Sequence, residues 1–319
     1  MIAIWSLPFW LAFNGMESSH LGSGAAAAAA SGGPDTNDLF LVPADLKIDA
    51  TIAGRSVRLK IDGDTGARRV VNASIAQALS LRGSGMQGAV RFGPTEMIAR
   101  SRSVATSIGG LAPERLRWHW FERDVATGAD GLISPAVMPY ATVLFRLRPS
   151  DAGDVTQSLP FRGAAAFGFS GGEAHWAVGD QTFAVGAAFD RPETIVSASA
   201  GALLARTNGG QFEGEASVRA VRYGIERPVR LMRFSTPVRV ASLTITAVYV
   251  RLAEAGASGL PQDDERDERP IDDNEIVVNG ERSGKQPRLI ISIGSNDLAQ
   301  CATIAYENRA SRLTLSCRA

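Results

Sequence analysis

The sequence has little of several features that would point to a simple class of function. Its 319 residues carry 33 basic and 33 acidic side chains, so no net charge attracts it to nucleic acid or to an anionic membrane. Its three histidines, His20, His119 and His175, are scattered, which gives little support to a zinc site or a Ser-His-Asp triad. No run reaches the roughly 18 apolar residues of a membrane-spanning helix. We therefore expect no metal, no cofactor, no nucleic-acid partner and no membrane span.

The N-terminus is apolar over residues 1–13 and continues into an alanine tract at residues 25–30. A dozen apolar residues are too few to anchor a chain in a bilayer and fit an export signal better, although no Lys or Arg precedes them. The alternative is a disordered apolar tail. We predict that residues 1–37 are a signal peptide or a tail, and that the mature protein is periplasmic or secreted.

Cysteine is scarce, and the two that are present lie in one predicted hairpin. If Tyr306 pairs with Arg312 across the turn at residues 307–311, Cys301 lies directly opposite Cys317. Cross-strand Cβ atoms lie close enough for a disulfide at a non-hydrogen-bonded pair. We predict this bond, and with it an oxidising compartment. Two free thiols in a β-sheet core are the alternative.

Many short apolar runs bounded by Gly, Pro and Asp predict an all-β fold with short helices. A polar, turn-rich break at residues 148–154 divides the chain into regions 38–148 and 158–319. The second region contains a mixed-charge stretch at 254–287, which is typical of a disordered insertion. The two regions follow the same order of turn, strand, Asp and helical run, which favours an internal duplication.

One short motif carries most of the chemistry. Asp64, Thr65 and Gly66 follow a strand-like run at residues 56–61 and precede a helical run at residues 74–81. A tight loop of this kind presents a carboxylate, places a hydroxyl beside it and lets the backbone approach closely at the glycine. This loop, with its strand and helix, resembles the catalytic loop of the retropepsin-like and pepsin-like aspartic proteases.

The resemblance implies two pepsin-like β-barrel lobes, with Asp64 as one catalytic residue and Asp190 as its partner from the second lobe. Thr65 and Gly66 would support the loop. Hydrolysis in this family needs two carboxylates about 3 Å apart that share one proton, because like charges this close cannot both ionise. The implied function is an aspartic-type endopeptidase that acts on a peptide or protein substrate. A monomer is expected, while a homodimer with one Asp from each chain is the variant.

The sequence departs from the family pattern at both loops. Asp62 and Gly63 precede Asp64, so Asp62 competes for the catalytic role. The second loop continues from Asp190 into Arg191 and Pro192, where the family has Thr or Ser and then Gly. These departures leave two alternatives open: an inactive relative that binds peptides or envelope components between the lobes, and an unrelated β-sandwich in which the motif is a surface turn.

An aromatic cluster at residues 118–121, which includes Trp118 and Trp120, either packs in the core or lines a substrate groove. Core packing is the favoured interpretation, because large aromatic side chains bury most of their surface.

Overall fold

The computed structural model describes residues 38–83, 88–92, 95–161, 172–254 and 288–318. The predicted signal peptide or tail and most of the predicted acidic insertion lie outside these residues. Within the described ranges, no helix is both long and apolar enough to cross a membrane. The prediction of an all-β fold with short helices is confirmed, because 19 strands alternate with only three short α-helices in this part of the chain.

The first of three sheets has seven strands in the order β2-β3-β8-β4-β7-β6-β5. Its strands are β2 (Lys47–Ile52), β3 (Arg55–Ile61), β4 (Arg69–Val71), β5 (Gly88–Phe92), β6 (Thr95–Ile108), β7 (Glu114–Trp120) and β8 (Gly131–Ile133). Helix α1 (Ala73–Ala78) follows β4. In β2, residues with buried and exposed side chains alternate, as expected of a strand with one face on the core.

The second sheet repeats this arrangement, with seven strands in the order β11-β12-β17-β13-β16-β15-β14. Its strands are β11 (Ala174–Val178), β12 (Gln181–Ala188), β13 (Ile195–Val196), β14 (Gly210–Ala220), β15 (Glu226–Val240), β16 (Leu243–Arg251) and β17 (Leu289–Gly294). Helix α2 (Ala198–Asn208) follows β13 as α1 follows β4. Each neighbouring pair also has the same direction as its counterpart; β3–β8 and β12–β17, for example, are both parallel.

The third sheet joins the two regions of the chain in the order β1-β9-β18-β19-β10. Its strands are β1 (Leu39–Leu41), β9 (Thr142–Arg146), β10 (Asp154–Pro160), β18 (Cys301–Glu307) and β19 (Arg312–Arg318). The predicted boundary at residues 148–154 falls between β9 and β10. Helix α3 (Ser295–Leu298) connects the second sheet to β18.

The predicted disulfide between Cys301 and Cys317 is confirmed, and the two residues are directly opposed. The predicted register was wrong by one residue, because Glu307 and not Tyr306 pairs with Arg312. A β-bulge between Cys301 and Thr303 absorbs the difference and restores the cysteine pair. The bond is consistent with an oxidising compartment.

The largest group of buried apolar side chains extends through all three sheets. A second, smaller group lies where the first sheet meets the second. It brings Val70 and Phe121 of the first sheet together with Val221 and Tyr223 of the second. The predicted core packing of Trp118 is found: its ring is fully buried, and its indole N–H donates a hydrogen bond to Thr106.

Candidate functional site

The Asp64 loop begins where β3 ends and is held by its own polar groups. The backbone N–H of Asp64 donates to Oδ1 of Asp62 at 2.8 Å, and Oγ1 of Thr65 donates to the carbonyl of Asp62 at 2.9 Å. Gly66 has a φ of +65°, a conformation that favours glycine. These bonds explain the local role of Thr65 and Gly66 and fix the direction of the Asp64 side chain.

The loop is buried against the second sheet. Asp64 is 5% exposed and Thr65 is fully buried, so the motif is not the surface turn that one alternative predicted. Gly63 forms an antiparallel bridge with Ala187 of β12. A Cβ atom at Gly186 would lie 2.6 Å from Oδ1 of Asp64, so this position admits only glycine without displacement of the carboxylate.

Two arginines of the second region face the Asp64 carboxylate. Nη2 of Arg222 donates to Oδ1 at 3.0 Å, and Nη2 of Arg191 lies 3.8 Å from Oδ2. Arg222 is 8% exposed and uses its other terminal nitrogen to donate to Glu173 at 2.9 Å. Glu173 also pairs with Arg288. The result is a network in which two buried carboxylates share three guanidinium groups, of which those of Arg191 and Arg222 are largely buried and that of Arg288 is exposed.

Charge pairing outweighs burial at two members of this network. Burial raises the pKa of Glu173, but Arg222 and Arg288 oppose this effect and lower the pKa to about 2. Burial lowers the pKa of Arg222, but Asp64 and then Glu173 raise it above its ordinary value. Glu173 and Arg222 are therefore charged at every pH at which the protein would be assayed.

Arg222 comes from the hairpin tip, which we define as residues 221–225 between β14 and β15. Tyr223 in this tip has a φ of +62°, an uncommon conformation for a bulky residue. Its hydroxyl donates to the carbonyl of Thr65 at 3.0 Å and accepts from Arg68 at 3.0 Å. The hairpin tip thus contacts both the backbone and the carboxylate of the Asp64 loop.

Little space remains beside the carboxylate. A cavity of about 20 Å³ is lined by Asp64, Arg191, Arg222 and Ser292, among others. This volume corresponds to about one water molecule. A peptide backbone does not fit there while the hairpin tip is in place.

Asp190 follows β12 as Asp64 follows β3, but its surroundings differ. Its carboxylate forms an ion pair with Lys60 of β3, and its side chain is 41% exposed. No hydrogen bond joins Asp64 to Asp190 in the part of the chain that the structure describes. The structure therefore brings the two predicted loops together at the Gly63 bridge but gives each predicted catalytic carboxylate a cationic partner.

Asp62 is the carboxyl group with the most unusual acidity in this region. Burial is the largest cause, and the charges of Asp64 and Asp190 add to it, so the pKa of Asp62 rises to about 7. Burial is also the largest cause that raises the pKa of the nearby Tyr306, and the charges of Asp62 and Asp64 raise it further. At neutral pH Asp62 is thus the group of this loop that readily holds or releases a proton.

Sequence reasoning missed Glu173, Arg222 and Tyr223. The only local signal for Arg222 and Tyr223 is a short turn between two strands, and no sequence pattern links such a turn to a loop more than 150 residues earlier. Glu173 lies apart from this turn, directly before β11, and has no local signal of its own. The scattered histidines remain apart from the site: His119 lies on β7 and His175 on β11, and His20 lies outside the described residues. Among described residues, no group of three or more metal-binding side chains occurs.

Comparison with known proteins does not assign the chain to a family. No protein-family model matches the sequence, and no curated protein is significantly similar to it.

Proposed function

We propose that this protein is a non-hydrolytic relative of the pepsin-like aspartic proteases that binds a peptide, or a peptide-like envelope component, beside the hairpin tip. The observation that carries the proposal is the Arg222–Asp64 ion pair. In this pair a guanidinium group is hydrogen-bonded to Asp64, whereas aspartic proteolysis requires a second carboxyl group beside the first. The protein would act as a monomer and would be exported, and the disulfide supports the export.

The pepsin-like part of the proposal is supported by the repeated topology. Each seven-stranded sheet has the same strand order, and in each the second strand runs into an Asp-containing loop. The two loops approach each other at the bridge between Gly63 and Ala187. Two similar lobes that meet at paired loops are what the resemblance of the Asp64 motif implies.

The non-hydrolytic part follows from the chemistry of the reaction. One carboxylate must accept a proton from water while the other donates one to the substrate carbonyl. The Asp64 carboxylate instead accepts a hydrogen bond from Arg222 and lies 3.8 Å from Arg191, so two guanidinium groups and no second carboxyl group contact it among the described residues. Asp190 does not supply the second carboxyl group that the reaction requires, because it is partly exposed and pairs with Lys60.

A pocket of about 490 Å³ beside the hairpin tip is the candidate binding surface. Its apolar floor is formed by Met97 of β6, Phe121 after β7, and Ile225 of the hairpin tip. Charged side chains at its rim include Glu96, Glu122, Arg123 and Glu226. An apolar floor with a polar rim suits an apolar side chain of an extended peptide.

A second candidate, an acid endopeptidase, is favoured by one specific observation. Asp62, with a pKa raised to about 7, lies close enough to Asp64 and Asp190 for their charges to act on it. A protonated carboxyl beside an ionised one is the arrangement that aspartic proteolysis uses. In this candidate the hairpin tip leaves the Asp64 loop before a substrate enters.

Hydrolysis of an unfolded protein between pH 3 and pH 7 separates the two candidates. The wild type is compared with Asp64→Asn and with Arg222→Leu, each shown to be folded by circular dichroism. The binding proposal predicts no hydrolysis by any of the three. Hydrolysis by the wild type that Asp64→Asn abolishes would establish the endopeptidase. Hydrolysis by Arg222→Leu alone would mean that the hairpin tip inhibits an otherwise competent enzyme.

Binding is measured separately by fluorescence anisotropy with a library of short labelled peptides. The matched variants are Ile98→Glu, which places a charge at an exposed apolar residue of the pocket lining, and Val155→Glu, which places the same charge at a similarly exposed apolar residue of β10 outside this pocket. The proposal expects Ile98→Glu to weaken binding at least tenfold and Val155→Glu to leave it within twofold. Equal effects of the two variants would contradict the assignment of the pocket.

A further inference from the structure

Strand β6 is longer than its neighbours β5 and β7, and part of one of its edges has no partner strand. The sheet order places β5 and β7 on opposite sides of β6. On one side, β5 pairs with β6 from Thr95 to Ala99. On the other side, β7 pairs with β6 only from Arg100 to Thr106. Among the residues that the structure describes, the β7 side of Thr95–Ala99 is therefore an open edge, whose main-chain N–H and C=O groups can pair with another polypeptide.

The ladder also shows which residues direct their main-chain groups to this open edge. At its C-terminal end, β6 pairs with β2 on one side and with β7 on the other. The carbonyl of Ala105 accepts the N–H of Ala53, directly after β2, and so points away from β7. Successive residues of a strand point their N–H and C=O groups to opposite sides. Odd-numbered residues of β6 therefore face β2 and β5, while Glu96 and Ile98 face the open edge.

The open edge borders the pocket beside the hairpin tip. Strand β7 ends at Trp120, and the next three residues line the pocket instead of extending the pairing with β6. Thr95–Ile98 of β6 line the same pocket. Ile98 is 39% exposed, so the edge is accessible from solvent. The pocket thus lies where a further strand would pair with β6, above an apolar floor that includes the buried Phe121.

We propose that a peptide binds in this pocket as an added strand, with its main chain paired to Glu96 and Ile98 at the open edge of β6. The inference rests on the proposed function, because it uses the same pocket. Each of the two residues would exchange an N–H and a C=O bond with the peptide, and every second side chain of the peptide would face the apolar floor. The class of ligand is therefore an extended segment with free main-chain N–H groups and an apolar residue, not a helix or a proline-rich segment.

Amide hydrogen exchange followed by NMR tests the pairing directly. The probe is the peptide of the labelled library that binds most tightly. At saturation it should slow exchange of the N–H groups of Glu96 and Ile98 by about tenfold or more, because each gains a hydrogen bond. The N–H groups of Met97 and Ala99 face β5 and should slow less. A peptide that binds without this difference would contradict main-chain pairing.

Glu96→Pro and Glu96→Ala separate the main chain from the side chain. Both variants remove the carboxylate, but only proline removes the N–H that faces the open edge. A strand accepts proline where the N–H faces outward from an edge. We expect Glu96→Pro to bind the peptide about tenfold more weakly than Glu96→Ala, because one hydrogen bond is lost and its acceptor is left unpaired. Equal affinities of two folded variants would overturn the proposal.

The peptide supplies an independent measurement, which also serves if Glu96→Pro does not fold. Each N–H of the bound peptide is replaced in turn by an N-methyl group, which removes a donor and keeps the side chain. Methylation at alternate positions should weaken binding about tenfold, and methylation between them by about threefold or less. An effect without this period of two would contradict the added strand.

The same measurements distinguish failure of this inference from failure of the proposed function. If no peptide of the library binds the wild type, the proposed function fails and the inference fails with it. If binding is weakened by Ile98→Glu but does not depend on the N–H groups of the peptide, the pocket binds side chains alone. That result contradicts only the added strand.

Discussion

The Asp64 loop and the Asp190 loop follow equivalent strands of two sheets with the same strand order, yet their carboxylates lie in opposite environments. The Asp64 side chain is 6% exposed and faces two arginines, whereas the Asp190 side chain is 41% exposed and faces one lysine. A buried charge must be compensated by partners, while water compensates an exposed one. The two sheets therefore share a strand order, but their equivalent loops do not present a matching pair of carboxylates.

The two loops also differ in what holds their backbone. Thr65 bonds within its own loop, to the carbonyl of Asp62. In the second loop, the hydroxyl of Thr194 accepts a hydrogen bond from the backbone N–H of Gly294 at 2.9 Å and donates one to the carboxylate of Asp297. Pro192 has no N–H to donate and fixes its own φ. The second loop is thus anchored to β17 and α3, and its Asp190 is partly exposed and pairs with Lys60 of the first sheet.

Among the variants that test this difference between the loops, replacement of Arg222 should change the free energy of unfolding most. Arg222→Leu leaves Asp64 and Glu173 without their shared guanidinium in a buried network, so we expect the free energy of unfolding to fall by about 3–5 kcal/mol. Urea unfolding followed by circular dichroism measures it. Arg233→Leu is the control, because Arg233 forms an exposed pair with Glu213 on the same hairpin, and its loss should leave the free energy of unfolding close to that of the wild type. Equal losses for both variants would contradict the buried network.

Gly186 tests how closely β12 approaches the Asp64 carboxylate. In Gly186→Ala the new methyl group would lie 2.6 Å from Oδ1, so the carboxylate or the strand must move. We expect a loss of about 1–3 kcal/mol in the free energy of unfolding. Gly83→Ala is the control, because its nearest neighbour is an ordinary 3.7 Å contact with Arg100. A tolerated Gly186→Ala would mean that the loops are farther apart than described.

The acidity of Asp62 should give stability a specific pH dependence. The folded protein holds the Asp62 proton up to about pH 7, whereas the unfolded chain releases it near pH 4. The folded state then binds more protons across this window, so this group makes the free energy of unfolding fall as pH rises, by up to about 1.4 kcal/mol per unit. Urea unfolding at several pH values should show this slope lost in Asp62→Asn.

His119 contributes the opposite slope and must be separated from Asp62. Its pKa of about 4 lies below the unfolded value of about 6.5, so acidification through this range destabilises the folded state. Asp62→Asn should therefore leave stability that rises with pH between about 4 and 6.5, and His119→Gln should leave stability that falls. Two variants with the same slope as the wild type would refute both assignments.

Replacement of Asp190 should change the free energy of unfolding least. Asp190→Asn breaks a partly exposed pair with Lys60, which contributes about 1 kcal/mol or less. We expect a change in the free energy of unfolding within this limit and an otherwise unaltered protein. A loss as large as that of Arg222→Leu would show that Asp190 belongs to the buried network after all.

Local features could be predicted well from the sequence, whereas the contacts that enclose Asp64 could not. Strands and short helices follow from periodicity within a few residues, and the Asp64 loop from three adjacent residues. The disulfide was predicted from a single hairpin, and a bulge at Ala302 changed the register without separating the cysteines. The third sheet was not predicted, because β1 pairs with β9, β9 with β18 and β10 with β19, and in each pair the partner lies more than 100 residues later in the chain.

The pairing of Asp64 is the clearest case of what could not be predicted. The sequence showed that Arg191 and Pro192 depart from the expected second loop, and so indicated an altered site. It did not show that Arg222 enters from a hairpin tip, because that contact depends on how two sheets pack and not on a local pattern. Predictions of the catalytic role of Asp64 and Asp190 therefore stay predictions.

A double-mutant cycle between Asp64 and Arg222 is the most direct test of the central claim, which is that this carboxylate is paired with an arginine and not with a second Asp. The free energies of unfolding of Asp64→Asn, Arg222→Leu and the double variant are compared with that of the wild type in urea. A coupling energy of about 2 kcal/mol or more between the two positions is expected, within the range for residues in one buried network. Additive effects at these positions, together with strong coupling between Asp64 and Asp190, would contradict it.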